Sequence, residues 1–247
     1  MDEIVAEFHG FSGSKIYLMK GQHGLFVRKI GNIERNFERL TALGQKGYPV
    51  PKIYNYNGTY LDIEYLHGLD IKHYLTWNGV DDLQKFIFNQ LDQFLDSAVN
   101  KDYTDVYNFK LQWIDKRSDL PFTRKELVDR LPKLLPRSEY HGDMTLENIL
   151  SVNGKFYLID PVTIEYDSYV FDIAKMRQDL DCKWFLRGNE LKIDTKLQNI
   201  SDNLKEKYPI AFDDSLLILM LLRVLAHAKA NSKEYVFLRE CIERLWK

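Results

Sequence analysis

Cysteine is nearly absent: Cys182 and Cys241 are the only two in 247 residues. So few exclude a disulfide framework and a cysteine-built zinc site, and they fit a reducing compartment. Long apolar runs are missing too. The longest, Leu216 to Leu222, is closed by Arg223 and falls far short of the roughly 20 residues of a membrane span, so it reads as a buried helix. Nor is there an excess of one charge. With 34 basic and 36 acidic residues the formal charge is −2, which leaves no electrostatic footprint for nucleic acid or an anionic membrane. No charged-then-apolar leader opens the chain, so the expectation is a cytoplasmic chain, handled without lipid, monomeric or weakly dimeric. The length allows one large domain or two small ones, with a substantial core in either case.

What is present concentrates in His141-Gly142-Asp143-Met144-Thr145-Leu146-Glu147-Asn148 and the residues after it. Asn148 to Val152 and Lys155 to Asp160 are β-prone runs joined by Asn153-Gly154, the dipeptide favoured in a type I′ two-residue turn. That turn sets Val152 opposite Lys155 and, counting back, Asn148 opposite Ile159. Three oxygen-bearing groups are then associated with one hairpin: Asp143 on the preceding loop, Asn148 where the first strand begins and Asp160 where the second ends. Hard oxygen ligands of this kind suit magnesium, which takes one or two protein side chains and fills its other positions with water and phosphate oxygens. Each of these residues taken singly also fits a loop Asp, a capping Asn or a surface hairpin.

Upstream, Glu3 to Phe8, Lys15 to Met19 and Leu25 to Ile30 are short β-like runs separated by turns, which predicts three antiparallel strands. The first turn, Gly10-Phe11-Ser12-Gly13-Ser14, has the glycines and serines needed to lay backbone N–H groups over phosphates, although such residues populate most hairpin turns. The third run ends in Arg28-Lys29-Ile30, and strand alternation sends Arg28 and Lys29 to opposite faces. Ile33, Phe37, Leu40 and Gly44 predict a helix over 33–43, with Glu34 and Glu38 four apart on one flank. Tyr48-Pro49-Val50-Pro51 is a stiff extended link, and Tyr60 to Leu66 reads as a strand.

Downstream, Leu83, Phe86, Ile87, Leu91, Phe94, Leu95, Ala98 and Val99 follow the 3.6-residue period of a long core helix. Residues 100 to 120 have no clear period. Thr123 to Glu126 opens a helix that Pro132 should end. Asp172 is placed to cap a helix starting at Ile173, and His227 falls on the expected continuation of the helix through Leu222.

The His-Gly-Asp-x-x-x-x-Asn motif, the hairpin and Ile159-Asp160-Pro161 together resemble the aminoglycoside phosphotransferase and choline kinase group, the small-molecule branch of the kinase-like fold. The resemblance extends as an ordered series over nearly the whole chain. It implies an α+β, bilobal protein-kinase-like fold, with a small antiparallel-sheet N-lobe over 1–66 and a mostly helical C-lobe over 67–247. It implies ATP and Mg2+ as cofactors and a small-molecule hydroxyl as acceptor. By motif position, Asp143 accepts the hydroxyl proton, and Asn148 and Asp160 hold metal. Ser12, Gly13 and Ser14 cover the phosphates, Lys29 contacts them, and a helix Glu pairs with Lys29. Spacing does not separate Glu34 from Glu38; Glu38 is taken because Glu38-Arg39-Leu40 better resembles the family's helix. Adenine is expected against the backbone of Glu64, Tyr65 and Leu66. His141 and Asp172 are structural supports of the loop. Two departures from protein kinases stand out: His-Gly-Asp replaces His-Arg-Asp, and Asp-Pro replaces Asp-Phe-Gly.

The acceptor stays open at this level. Asp179, Asp181, Glu190 and Asp194 would suit an aminoglycoside, and Trp113, Trp184 and Tyr166 a choline or ethanolamine-type substrate. The wording Met-Thr-Leu-Glu-Asn with Asp-Ile-Ala-Lys-Met resembles phosphotransferases of sugars or amino sugars in surface-polysaccharide pathways. The alternative of another class is a catalytically inactive nucleotide-binding or scaffold protein of the same fold.

Overall fold

The computed structural model describes every residue except Met1, 9–13, His23, 96–98 and Glu190. The chain divides into two compact units, Met1–Trp77 with Glu147–Ile164, and Asn78–Leu146 with Glu165–Lys247. The division differs from a single cut after residue 66, because the hairpin that follows the His-Gly-Asp loop packs with the N-terminal sheet residues and belongs to the first unit.

In the first unit, β1 (Glu3–Phe8), β2 (Lys15–Gly21), β3 (Gly24–Ile30), β4 (Ile53–Tyr56) and β5 (Tyr60–Glu64) form an antiparallel sheet in the order β1-β2-β3-β5-β4. Helix α1 runs over Glu34–Gln45, and its buried positions are Asn36, Arg39, Leu40 and Leu43. That inward stripe leaves Glu34 and Glu38 exposed. A second, three-stranded sheet joins β6 (Leu69–Asp70) to β9 (Ile149–Val152) and β10 (Lys155–Leu158) in the order β10-β9-β6, with α2 (Ile71–Trp77) following β6. The β9–β10 register pairs Val152 with Lys155 and Ile149 with Leu158, and the Ile159 N–H donates to the Asn148 carbonyl at 2.9 Å. Asn153 and Gly154 both have positive φ, 49° and 77°, as a type I′ turn requires. The hairpin read from the sequence therefore stands, register included. The Leu158 N–H donates to the Pro49 carbonyl at 2.8 Å, which ties the hairpin to the Pro-stiffened link.

The second unit is mostly helical: α3 (Asp81–Leu95), α4 (Thr104–Lys110), α5 (Arg124–Arg130), α6 (Tyr169–Leu180), α7 (Asp194–Lys207), α8 (Asp214–Leu225) and α9 (Lys233–Trp246), with a two-stranded sheet of β7 (Val99–Asp102) and β8 (Leu134–Arg137). Thr123 caps α5 through a capping box with Glu126, which satisfies N–H groups that the first turn cannot. The run Ser215–Leu222 of α8 is wholly buried, and so is every residue of α6. Among the described residues no helix is long and apolar enough to cross a membrane.

Three local expectations are corrected. The α3 period does not carry through Val99, which begins β7 and pairs with Arg137; an apolar residue at helical phase also fits a strand. Helix α6 starts at Tyr169 and is capped by the Ser168 hydroxyl, because Asp172 is drawn into another task described below. Helix α8 ends at Leu225, and His227 lies exposed in the turn beyond it.

Candidate active site

The residues expected to handle nucleotide and metal lie in the first unit. Arg28 and Lys29 alternate across β3. Arg28 leaves on one face and grips Asp62 with two bonds of 2.7 and 2.8 Å. The Lys29 side chain leaves on the other, is only 9% exposed, and donates from Nζ to Asp160 Oδ1 at 2.7 Å and to Asn36 Oδ1 at 3.3 Å. Asn36 in turn donates from Nδ2 to the Pro161 carbonyl at 2.6 Å. One buried amide thus links the lysine of β3 to the Asp-Pro segment after β10. The helix partner of Lys29 is Asn36. Among the described residues no hydrogen bond or ion pair joins Lys29 to Glu38, whose side chain lies on the exposed flank of α1. Helical phase explains the difference: Asn36 lies on the inward stripe with Leu40 and Leu43, and Glu38 does not.

Asp160 has φ +56°, a left-handed conformation that Asp tolerates better than most residues. Asn148 precedes β9 directly opposite Ile159, so the amide and the Asp160 carboxylate belong to neighbouring positions at one end of the hairpin. One carboxylate and one amide are a donor set that fits magnesium with phosphate oxygens completing its shell. Glu64 closes β5, where its N–H donates to the Lys52 carbonyl at 2.8 Å and its side chain accepts from the Lys52 N–H. That N–H is therefore engaged within the sheet, and Tyr65 and Leu66 follow beyond the strand end. Ser14 immediately precedes β2; Ser12 and Gly13 lie outside the described residues.

The His-Gly-Asp loop lies in the second unit. Asp172, 2% exposed on α6, accepts the backbone N–H groups of His141 at 2.5 Å and of Gly142 at 2.8 Å, one on each carboxylate oxygen. Gly142 has φ +93°, which other residues adopt only with strain. Farther along the same loop, Asp179 Oδ2 accepts the Leu146 N–H at 2.7 Å. The loop is thereby pinned to α6 near both of its ends. The His141 ring is fully buried and its Nδ1 accepts the Asp143 N–H at 3.3 Å, which braces the loop at Asp143.

Asp143 itself is 34% exposed at the side chain, and Lys175 Nζ of α6 lies 3.2 Å from its Oδ1. Burial pushes the Asp143 carboxyl up, but the charges of Lys175, Arg223 and His141 with the Lys175 hydrogen bond outweigh it, and the group sits below the ordinary carboxylate range. It is held as a carboxylate. Arg223, the last polar residue of α8, donates from Nη2 to the Gly142 carbonyl at 3.2 Å and lies 5.8 Å from the centre of the Tyr166 ring.

Sequence reasoning missed Asn36, Lys175 and Arg223, and it took Asp179 for an acceptor contact rather than a brace of the loop. A signal existed for Lys175 and Asp179: with Asp172 they recur at three and four residues and form one polar stripe along α6.

No protein-family model and no curated protein sequence matches this chain. Solved structures do. A thermostable mutant of the aminoglycoside phosphotransferase APH(4)-Ia, in apo form, superposes with a TM-score of 0.65 at 10% identity over 99% of this chain and 94% of the other. A choline/ethanolamine kinase family protein from Mesorhizobium loti gives 0.59 at 12% identity over 100% and 87%. A further APH(4)-Ia mutant, in ternary complex with ADP and hygromycin B, gives 0.63 at 11% identity over 97% and 92%. The chain therefore has the fold of these small-molecule kinases, along essentially its full length and theirs.

Proposed function

We propose that this chain is an ATP- and Mg2+-dependent phosphotransferase that phosphorylates a hydroxyl of a small molecule. The observation that carries the reading is the Lys29–Asp160 pair at the end of a hairpin that starts at Asn148. In a full-length kinase fold, this is the group set that phosphoryl transfer needs: a cation for the nucleotide phosphates, and an Asp and an Asn for metal. Asp160 and Asn148 would hold magnesium, which supplies charge neutralisation to the phosphates when bound. In the reaction the acceptor hydroxyl oxygen bonds to the γ-phosphorus, the bond from that phosphorus to the β–γ bridging oxygen breaks, and ADP leaves. The hydroxyl proton passes to Asp143, which stands ionised to receive it. ADP and hygromycin B bound together in a structure of the same fold support a nucleotide and a hydroxyl-bearing small molecule as the two substrates.

The two acceptor classes with the plainest chemistry are poorly served by the residues expected to bind them. Of the acidic set, Asp179 accepts the Leu146 N–H, Asp181 accepts from Arg177 and Ser201, and Asp194 pairs with Lys183; Glu190 lies outside the described residues. Of the aromatic set, Trp113, Trp184 and Tyr166 already have arginines Arg117, Arg187 and Arg223 over their rings. A sugar or sugar derivative, as in surface-polysaccharide pathways, suits the site better than a polyamine or a quaternary ammonium.

One observation favours a second reading, a nucleotide-binding protein without turnover: the partner of Lys29 on α1 is a neutral Asn36 and not a carboxylate. ADP release from Mg-ATP with a pooled set of sugars, sugar acids, amino alcohols and aminoglycosides separates the two. Turnover with any member supports the kinase; tight ATP binding with no turnover supports the second reading.

A further inference from the structure

We propose that the acceptor carries an anionic group, a carboxylate or a phosphate, and that Arg223 is the residue that binds it; this deepens the phosphotransferase reading and rests on it.

Arg223 is half-buried near the end of α8, after a run of buried residues from Ser215 to Leu222. Its contacts are Nη2 to the Gly142 carbonyl at 3.2 Å, Nη1 to Met220 Sδ at 3.4 Å, and the face of Tyr166. Among the described residues no carboxylate pairs with it. Other arginines of the same unit pair with carboxylates: the buried Arg177 with Asp181 and Asp214, and the half-buried Arg117 with Asp119 and Arg239 with Glu243. A guanidinium partly withdrawn from water loses hydration and normally regains it from an anion. Arg223 instead spends two of its five N–H donors on a carbonyl and a thioether, which fix its position without an ion pair.

Its position is informative. The carbonyl that anchors it belongs to Gly142, the residue before the proposed base, so the guanidinium is held one residue from where a hydroxyl must sit. Lys175 stands at the same carboxylate, 3.2 Å away. Lys175 is paired with Asp143, whose charge is also felt by Arg223, and Arg223 has no ion-pair partner of its own among the described residues. A neutral sugar offers the guanidinium no anion, whereas a carboxylate or phosphate matches the planar fork with two parallel hydrogen bonds.

The test is an ADP-release assay with Mg-ATP and matched acceptors: glucose, glucosamine, glucuronate and glucose 6-phosphate; glycerol, ethanolamine, glycerate and glycerol 3-phosphate. Expected is a kcat/KM for an anionic member at least tenfold above its neutral parent, with the carboxylate and phosphate arms telling the two anions apart. Arg223→Gln should raise the KM for that acceptor at least tenfold while the KM for ATP moves far less. Arg223→Lys, which keeps the charge and loses the fork, should fall between, and it serves as the test variant if Arg223→Gln gives no cooperative melt. A neutral or amino member as the best acceptor, or an effect of Arg223→Gln on ATP and not on the acceptor, overturns the proposal. Thermal shift of the ADP-Mg-loaded protein is run in parallel. If no acceptor is turned over but the anionic members raise the Tm of wild type and not of Arg223→Gln, the kinase reading falls and the anion site stands. If neither protein responds to the anions, the anion site falls.

Discussion

Lys29 and Asp160, 131 residues apart in the chain, are joined by a 2.7 Å ion pair, and Asn36 holds both sides of it through Lys29 Nζ and the Pro161 carbonyl. With Asp160 43% exposed at the side chain, solvent screens the pair, and its worth to the fold is modest, about 1 kcal/mol. A double-mutant cycle of Lys29→Met and Asp160→Ala in thermal denaturation should return a coupling energy of that order. Their effects on ligand should differ. Asp160→Ala is expected to remove most of the magnesium-dependent stabilisation by ATP, and Lys29→Met to weaken ATP use with the magnesium dependence retained. Identical magnesium titrations for the two variants would refute separate roles.

Asn36 should matter more than either glutamate of α1. Asn36→Ala deletes an acceptor for Lys29 and a donor to Pro161 in a buried setting, a loss of about 1–3 kcal/mol of stability, together with a raised KM for ATP. Glu34→Gln and Glu38→Gln change exposed side chains and should leave both quantities within about twofold, in the range of surface substitutions. A Glu38→Gln variant that lost ATP use while Asn36→Ala kept it would return the pairing to Glu38.

Asp172→Ala should destabilise more than any loop substitution, by about 3 kcal/mol or more, because it leaves two buried N–H groups without their charged acceptor. Asp172→Asn keeps one acceptor oxygen and should lie between it and wild type. Urea unfolding monitored by tryptophan fluorescence would check the order Asp172→Ala, Asp172→Asn, wild type, and equal midpoints for all three would show that Asp172 does not hold the loop.

The parts of this molecule that local rules govern were legible in the sequence. The Asn153-Gly154 turn sets its own backbone, and that sets the register to Asn148 and Ile159. Alternation along β3 correctly parted Arg28 from Lys29, and the start of α5 was visible in Thr123 to Glu126. What failed depended on which groups met across long separations. Asp172 looks like a helix cap until two N–H groups from residues about 30 positions earlier claim it, and Ser168 then takes the cap. Glu38 resembled a kinase glutamate by type, but the phase of α1 turned Asn36 inward. Strand β8 contains Pro136, which argues against a strand interior; a two-stranded sheet is all edge, and there a missing N–H is tolerated. Arg223 read only as the end of an apolar run, since nothing local marks an arginine whose anchor lies 81 residues away.

The charge of Asp143 gives the last prediction. Its carboxyl lies below the ordinary range because Lys175, Arg223 and His141 outweigh the effect of burial. A depressed folded-state value means that the carboxylate, and the stability contributed by its ion pair, persist above the unfolded value of about 3.9 and are lost only as pH falls through the lower folded value. As a base it therefore stays competent across the neutral range, and the acid limb of kcat/KM from this group should lie below about pH 4. Lys175→Met removes the cation 3.2 Å away and leaves burial in place, so the acid limb should move up. Arg223→Gln, with no direct bond to the carboxylate, should move it less. Asp143→Asn abolishes the limb and lowers turnover by a factor on the order of 10² or more while Mg-ATP binding survives. Assays after return from each pH to pH 7 separate reversible titration from unfolding. An acid limb that does not move in Lys175→Met would mean that Asp143 is not the titrating base, and loss of Mg-ATP binding in Asp143→Asn would place the residue on the nucleotide rather than on the acceptor.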